Sequence, residues 1–501
     1  MANMADKTYD VIIIGAGVVG SMVARFLSRY KLDILLIEKD SDIGMGASSA
    51  NTAIVHAGYD PKPGTLKAEM NVLGNQMFDQ LAGELNFSFE RRGDYVVAIG
   101  PEEFTKLEGL RQQGLENGVP GMVIIDGADV RRREPNINPE VSGALWATTG
   151  GICDPFGVVV AAAENAVVNG VTLMTETAFQ DFIMEGKRIV GIKTNRGDFN
   201  SRWVVNSAGM YSDEVMHKAG LRPEFKITPR KGEYYVFDKA EITINNVLFP
   251  VPSATSKGIL VTTTVHGNTI IGPNALEIDD REDRSITREG LDEIWQGAIN
   301  LVPSLSLRYS IAEFAGLRPG GNAPCANPDV KYNKDFIIEI PKEVSGLVNL
   351  GGIESPGLSS SPAIAARVVD LLRGAGEKLE EKPDWDPIRR ARPRFRDMSP
   401  TEQKLLVEND ASYGRIICRC ENVTEGEIVA EIHAPVPART YDAIKRRTWL
   451  GTGRCQGGFD TARVVEILAR ELGVSPLEIS KKGKGSEFLV RPTKDKEGEQ
   501  C

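Results

Sequence analysis

The sequence predicts an α/β fold: a doubly wound, mostly parallel sheet, an antiparallel layer inserted into it, and a small α-rich unit at the C-terminus. Three observations carry this. Residues 8–14 form an apolar run, followed by Gly15-Ala-Gly17-Val-Val-Gly20, a helical segment and a second apolar run at 32–37; continuous apolar strands belong to a parallel sheet buried on both faces. From about 90 to 330, short alternating segments such as Ile189–Thr194 and Tyr234–Phe237 are separated by polar turns, the mark of half-buried strands. Residues 377–410 then turn rich in Pro and Arg before a self-contained stretch at 411–480.

Taken in order, the helix after the glycine turn shows two i, i+4 ridges, Val18, Met22, Phe26 and Val19, Val23, Leu27. The second strand ends at Glu38. Val204–Gly209 reads as another buried strand closing on a glycine turn, and 346–373 as strand, Gly-rich turn and helix completing the first sheet. The first domain is therefore expected from 8–90, 145–220 and 330–376, the inserted one from 91–144 and 221–329, with a linker at 377–410. Residues 411–480 carry a short strand at 415–418, a capped helix start at Thr424 and Glu427, and a helix at 461–472. The Lys/Gly/Glu-rich tail 481–501 is expected to lack structure.

With 501 residues, 41% hydrophobic and 26% charged, the chain has the composition of a soluble globular protein of about three domains. A net charge of −10, from 59 basic and 69 acidic residues, argues against a broad nucleic-acid or anionic-lipid footprint but leaves room for a small anionic substrate. The start carries Asp6, Lys7 and Asp10 before its first strand, and the apolar stretch 158–171 is broken by Glu164, Asn165 and Asn169. Neither reads as an export signal or a membrane span. Six cysteines are too few for a disulfide framework, so the expected compartment is the cytoplasm.

Gly15, Gly17, Gly20 and Glu38 each have a task in a dinucleotide site. Gly15 makes the tight turn, Gly17 lets backbone approach a pyrophosphate at the helix N-terminus, Gly20 lets helix pack on strand, and Glu38 accepts from ribose hydroxyls. The spacing alone does not separate FAD from NAD. The segment Gly44–Gly58, with Asn206-Ser-Ala-Gly209, Gly316-Leu-Arg-Pro319 and Gly352-Ile-Glu-Ser-Pro-Gly-Leu-Ser359 in the same order, resembles the D-amino-acid-oxidase-like FAD-dependent oxidoreductase superfamily. The resemblance implies a Rossmann-type FAD-binding sheet with an inserted antiparallel-sheet substrate domain. It adds Lys39, Ser48, Ser49, Asn51, Thr52, Ala208, Gly209, Gly352, Gly357, Leu358 and Ser359 to the residues expected at FAD.

Ser49–Tyr59 and the C-terminal unit look like the anaerobic glycerol-3-phosphate dehydrogenase large subunit. Lys231–Tyr235, Pro63–Lys67 and Gly352–Leu358 look like L-2-hydroxyglutarate dehydrogenases. Both resemblances imply oxidation of a secondary alcohol on a small anion, first glycerol 3-phosphate to dihydroxyacetone phosphate, with 2-hydroxy acids or amino acids and amines as alternatives. A non-enzymatic electron-transfer or docking module is the remaining one. Such oxidation needs a base for the hydroxyl proton and cations for the anion. His56 is the expected base with His266 in reserve, Arg318 the anion clamp, and Lys231, Tyr234 and Lys257 the roof of the site. Tyr234 stands where the quinone-feeding glycerol-3-phosphate enzymes have a histidine.

Cys418-Arg-Cys420 and Cys455, set in Cys420-Glu-Asn-Val-Thr424 and Gly451-Thr-Gly-Arg-Cys455, resemble the bacterioferritin-associated-ferredoxin-like [2Fe–2S] domain. That family's fourth cysteine is Asp460 here. The resemblance implies a cluster on Cys418, Cys420, Cys455 and Asp460. A water ligand, a degenerate site, plainly buried cysteines, or zinc held with Asp460 or His433 stay open. The expected partner is an electron-accepting protein subunit, with membrane contact only through it. The basic run at 389–396 is read as its dock or as a solvated linker face.

Overall fold

The computed structural model describes residues 7–222, 225–252, 258–324, 332–333 and 335–492. It divides into two units: one built from the chain up to Lys39 and Ile43–Arg389, the other from Asp40–Asp42 and the chain from Arg390 onward.

In the first unit, the apolar strand Thr8–Ile14 lies inside a parallel sheet, with Gly197–Asn206 on one side and Ile34–Ile37 on the other. Thr172–Met174 extends the sheet beyond Ile34–Ile37, and Leu347–Gly351 joins Gly197–Asn206 in parallel. Val11 to Ile14 are all buried, which is why this strand reads apolar at every position rather than at every second one. The helix Val18–Leu27 packs against the helices Pro155–Val168 and Gly357–Gly374. Fingerprint loop, Asn206 turn and Gly352 turn therefore leave the same end of one sheet.

The inserted layer is a ten-stranded sheet. Its longest pairing is antiparallel, Lys226–Phe237 with Ser310–Pro324, in register from Lys226↔Asn322 to Phe237↔Ser310. Asp94–Ile99, Met122–Asp126 and Val141–Ala147 also belong to it. It is not purely antiparallel, because Val247–Pro250 runs parallel to Asp94–Ile99. The helix Arg288–Leu301 buries Ile294, Ala298 and Leu301 against Phe237, Val261 and Ile271. A small sheet of Ile54–Val55, Gly151–Cys153 and Phe89–Arg91 carries the loop that ends at His56.

The division between the two units falls within residues 377–410, at Arg389/Arg390, and the stretch before it is tied to the first unit. The Lys31 amide donates to the Glu380 carbonyl and the Lys382 amide to that of Arg29, both at 2.8 Å. Trp385 Nε1 reaches Ser28 Oγ, and Arg389 pairs with buried Glu164. From Arg390 the chain builds the second unit, where the helix Pro400–Asn409 opens on a capping box of Ser399 and Glu402. Arg392 grips Glu431 with two bonds of 2.7 and 2.8 Å, and Arg396 pairs with Glu421 at 2.6 Å. Arg389, Arg392 and Arg396 thus pair with acidic groups of the protein itself, while Arg390 stays exposed.

The second unit packs the helices Glu425–Ile432, Tyr441–Thr448 and Thr461–Leu472 around Ile428, Ile444, Leu450, Val464 and Leu468. Asp42 is counted with it. Burial opposes ionisation of this carboxyl, but Arg447 and Arg446 overcome it and hold Asp42 at about 2. The start of the expected disordered tail is ordered: Lys481 pairs with Asp442, Ser480 bridges Glu487, and Phe488 lies edge-on to Tyr441. An aromatic anchor outweighs the polar composition around it. Residues 493–501 lie outside the described residues, as does Lys257. Among the described residues, no helix is long and apolar enough to cross a membrane.

Candidate functional site

The fingerprint loop is built around absent side chains. Gly15 has φ +96°, and a Cβ there would meet the Ser207 carbonyl at 2.8 Å; at Gly20 it would meet the Gly15 carbonyl at 1.9 Å. Gly17 caps the helix Val18–Leu27 with no side-chain bond, leaving backbone at the helix start. Ser48 Oγ accepts from the Val18 amide at 3.0 Å. Glu38 is buried, and its Oε2 accepts from the Ala16 amide at 2.9 Å, so the acid that ends the strand also fastens the loop. Lys39 is exposed, over the Tyr211 ring and 3.5 Å from Glu282.

The neighbouring loop is tied to itself. Ser49 Oγ donates to the Met45 and Gly46 carbonyls; Asn51 donates to those of Ala47 and Ser48 and accepts from the Ala53 amide. Thr52 is half-buried beside Ala53, whose φ is +60°. Asn206 and Asn349 bond side chain to side chain between two parallel strands, and the Ala208 amide donates to Asn206 Oδ1. Around a Cβ on Gly209 there would be open space. Gly352 (φ +65°) turns into the helix opened by Gly357 and the half-buried Leu358. Fully buried Ser359 then accepts from the His56 amide at 2.8 Å and donates to the Ile54 carbonyl.

His56 is held from both sides, because Asn75 and Asn71 donate to its carbonyl. Its ring centroid lies 5.9 Å from that of Phe249. His266 is turned inward, Nε2 3.7 Å from Asp154, which caps the helix Pro155–Val168.

Across the inserted sheet, Arg230 pairs in register with Arg318 and Tyr234 with Phe314. Arg318 donates to the carbonyls of Arg230, Lys231 and Asn274 at 3.2, 3.3 and 2.8 Å. Burial lowers its pKa, with Tyr234 opposing. Tyr234 is buried, stacked on Phe314 at 4.5 Å, and its hydroxyl is pushed up by that burial. Lys231 does not point to a common site with Arg318; its buried ammonium pairs with Asp283 at 2.9 Å and reaches Ser285.

Sequence reasoning missed a cationic group here. Glu354 pairs with Lys67 at 2.8 Å and lies 3.9 Å from Arg230. Burial pushes its carboxyl up, but Lys67, Arg230 and Arg318 prevail and keep it below the usual range. Lys67 and Glu354 sat in quoted motifs, and Arg230 directly precedes Lys231; only the strand register brings them together.

In the second unit, Cys418 is buried and Cys420 exposed. Burial pushes the Cys418 thiol up to about 11; amides of Gly451 and Glu421 pull it back, and adjacent Asp460 adds to the rise. The Cys455 amide lowers the Cys420 pKa, but burial and the Cys455 thiol outweigh it. A Cβ on Gly453 would come within 2.5 Å of that of Cys420. His433 pairs instead with Glu471 at 2.8 Å. Among the described residues, no three His, Cys, Asp or Glu side chains converge on one ion. The donors form two neighbouring pairs, Cys418 with Asp460 and Cys420 with Cys455.

Together the two pairs supply the four donors that would hold a [2Fe–2S] cluster. Buried Asp460 Oδ2, without a hydrogen-bond partner among the described residues, suits ligation. The bare Gly15–Gly20 loop likewise fits a pyrophosphate. The protein is a FAD-dependent oxidoreductase with a [2Fe–2S] domain fused behind it. It belongs to the FAD dependent oxidoreductase family, whose model matches residues 10–371, while the BFD-like [2Fe-2S] binding domain matches residues 416–470. It is 46% identical to the glycerol 3-phosphate dehydrogenase of Caloramator mitchellensis, over 97% of this chain and 99% of that protein. It is 28% identical to the human mitochondrial L-2-hydroxyglutarate dehydrogenase, over 68% of this chain and 76% of that one. Among solved structures, the FAD-bound L-alpha-glycerophosphate oxidase of Mycoplasma pneumoniae matches with TM-score 0.71 and 31% identity, over 77% of this chain and 100% of its own.

Proposed function

We propose that this enzyme oxidises glycerol 3-phosphate to dihydroxyacetone phosphate and passes the electrons through its [2Fe–2S] cluster to a separate protein subunit. One observation carries the reading: the dehydrogenase relative matches 97% of this chain, second unit included, whereas the whole oxidase chain matches only 77%. An oxidase that hands electrons to oxygen has no need of an iron–sulfur exit.

FAD, when bound, supplies the hydride acceptor and the cluster a one-electron exit. His56, on a backbone pinned by Ser359 and Asn75, takes the hydroxyl proton. Arg318, Arg230 and Lys67 against the single charge of Glu354 leave a positive surplus that suits a phosphate. Tyr234 walls the site. Lys231 holds the Asp283–Ser285 turn, and His266 buttresses Asp154; neither is assigned to the substrate. Cys418, Cys420, Cys455 and Asp460 hold the cluster. We place the enzyme in the cytoplasm, with any membrane contact made by the accepting subunit.

The test is anaerobic stopped-flow bleaching of the flavin by glycerol 3-phosphate, L-2-hydroxyglutarate, proline and glycine. Glycerol 3-phosphate alone should bleach it rapidly. Bleaching by L-2-hydroxyglutarate or an amino acid instead would reassign the substrate. Peroxide release in air at the turnover rate would remove the electron exit.

A further inference from the structure

Asp460 occupies the N-cap of the helix Thr461–Leu472, where an aspartate ordinarily accepts from first-turn amides. Its side chain makes no such bond. The amide and hydroxyl of Thr461 donate to the Gly457 carbonyl instead, at 3.1 and 2.6 Å. Asp460 is fully buried, at 0% exposure. Its Oδ1 accepts from the Tyr441 hydroxyl at 2.7 Å, while Oδ2 has no hydrogen-bond partner among the described residues. A buried carboxylate oxygen left so is costly unless something else fills the place. The adjacent donor is the Cys418 thiol.

The Tyr441 hydroxyl has a seat made for it. A Cβ on either Gly451 or Gly457 would come within 2.5 Å of that oxygen, and both glycines have positive φ, +72° and +86°. Its ring lies edge-on to Phe488 at 5.6 Å. The loop that carries Cys455 and Asp460 therefore leaves out two side chains around one phenol.

We propose that Tyr441 is a positioning residue for the cluster: by donating to Oδ1 it leaves Oδ2 as the one oxygen through which Asp460 would ligate iron. The proposal rests on Asp460 being an iron ligand. An anionic oxygen ligand favours ferric iron, and a hydrogen bond that draws charge off that ligand makes reduction easier. Tyr441 thus offsets part of the drop in potential that comes with aspartate in place of cysteine.

The test is Tyr441→Phe in the full chain, which keeps the ring and removes only the hydroxyl. Reductive titration with dithionite and mediators is followed by electron-spin resonance and iron analysis. Iron should stay at about two per chain, the g-values should change, and the reduced-to-oxidised ratio at fixed poise should fall on the order of tenfold, about 59 mV for one electron. An unchanged potential and signal would overturn the proposal. If Tyr441→Phe loses iron, Asp460→Cys is added to it. Recovery of iron shows that Tyr441 acts through Asp460, whereas failure to recover makes Tyr441 merely structural and overturns the proposal. Asp460→Ala alone separates the two readings: an unchanged cluster there removes Asp460 as ligand, and with it the role of Tyr441.

Discussion

Asp94→Asn should make the flavin-binding unit progressively more stable than the wild type as pH rises from about 4 to 7. Asp94 opens the strand Asp94–Ile99 and is fully buried. Its Oδ2 accepts only a long 3.4 Å bond, from the Ala57 amide beside His56, and Oδ1 has no hydrogen-bond partner among the described residues. Burial pushes its carboxyl from 3.8 to about 7; the Ala57 amide and Arg91 pull back only in part. The folded state therefore favours the protonated acid. That contribution is complete below the unfolded value near 4 and is lost as pH rises through about 7. At about 1.4 kcal/mol per tenfold change in acidity, the full loss is about 4 kcal/mol. Asparagine keeps an acceptor for Ala57 and does not ionise. The assay is unfolding of wild type and variant, monitored by flavin release, at pH values from 4.5 to 8.5. The difference between them should grow with pH and level off above about 7; a flat difference would refute the buried neutral acid.

Three further outcomes are expected. Arg318→Ala should raise KM by about 30-fold or more, with a smaller fall in kcat, since a buried charged anchor is worth about 2 kcal/mol upward; Arg318→Lys should not restore it, because lysine lacks the planar fork, and an unchanged KM would move the anion site to Lys67 and Arg230. His56→Ala should lower kcat by about 10²- to 10⁴-fold with FAD content retained, and a loss under about tenfold would remove His56 as base. Asp460→Cys should keep about two irons per chain and raise the cluster potential, whereas a lower potential would count against oxygen ligation.

Gly15, Gly17 and Gly20 were legible in sequence because what they satisfy is local: a positive φ, a bare helix start, a close strand contact. The buried strand Thr8–Ile14 was legible for the same reason, since burial on both faces writes itself into consecutive residues. The cysteine spacing likewise marks the iron–sulfur domain without any structure. Composition misled where it stood in for pairing. The basic run at 389–396 reads as a solvated surface until Glu164, Glu431 and Glu421 are found opposite Arg389, Arg392 and Arg396. Lys231 reads as part of the roof of the substrate site, and the structure shows its ammonium paired with Asp283. Sequence by itself thus determined the fold class and the two cofactor domains. Tertiary structure alone decided which charges remain for chemistry. An ion pair such as Lys67–Glu354, or a hydrogen bond such as Tyr441 to Asp460, joins residues far apart or on separate elements, and only the packed sheet register and helix contacts set the distances on which their energies depend.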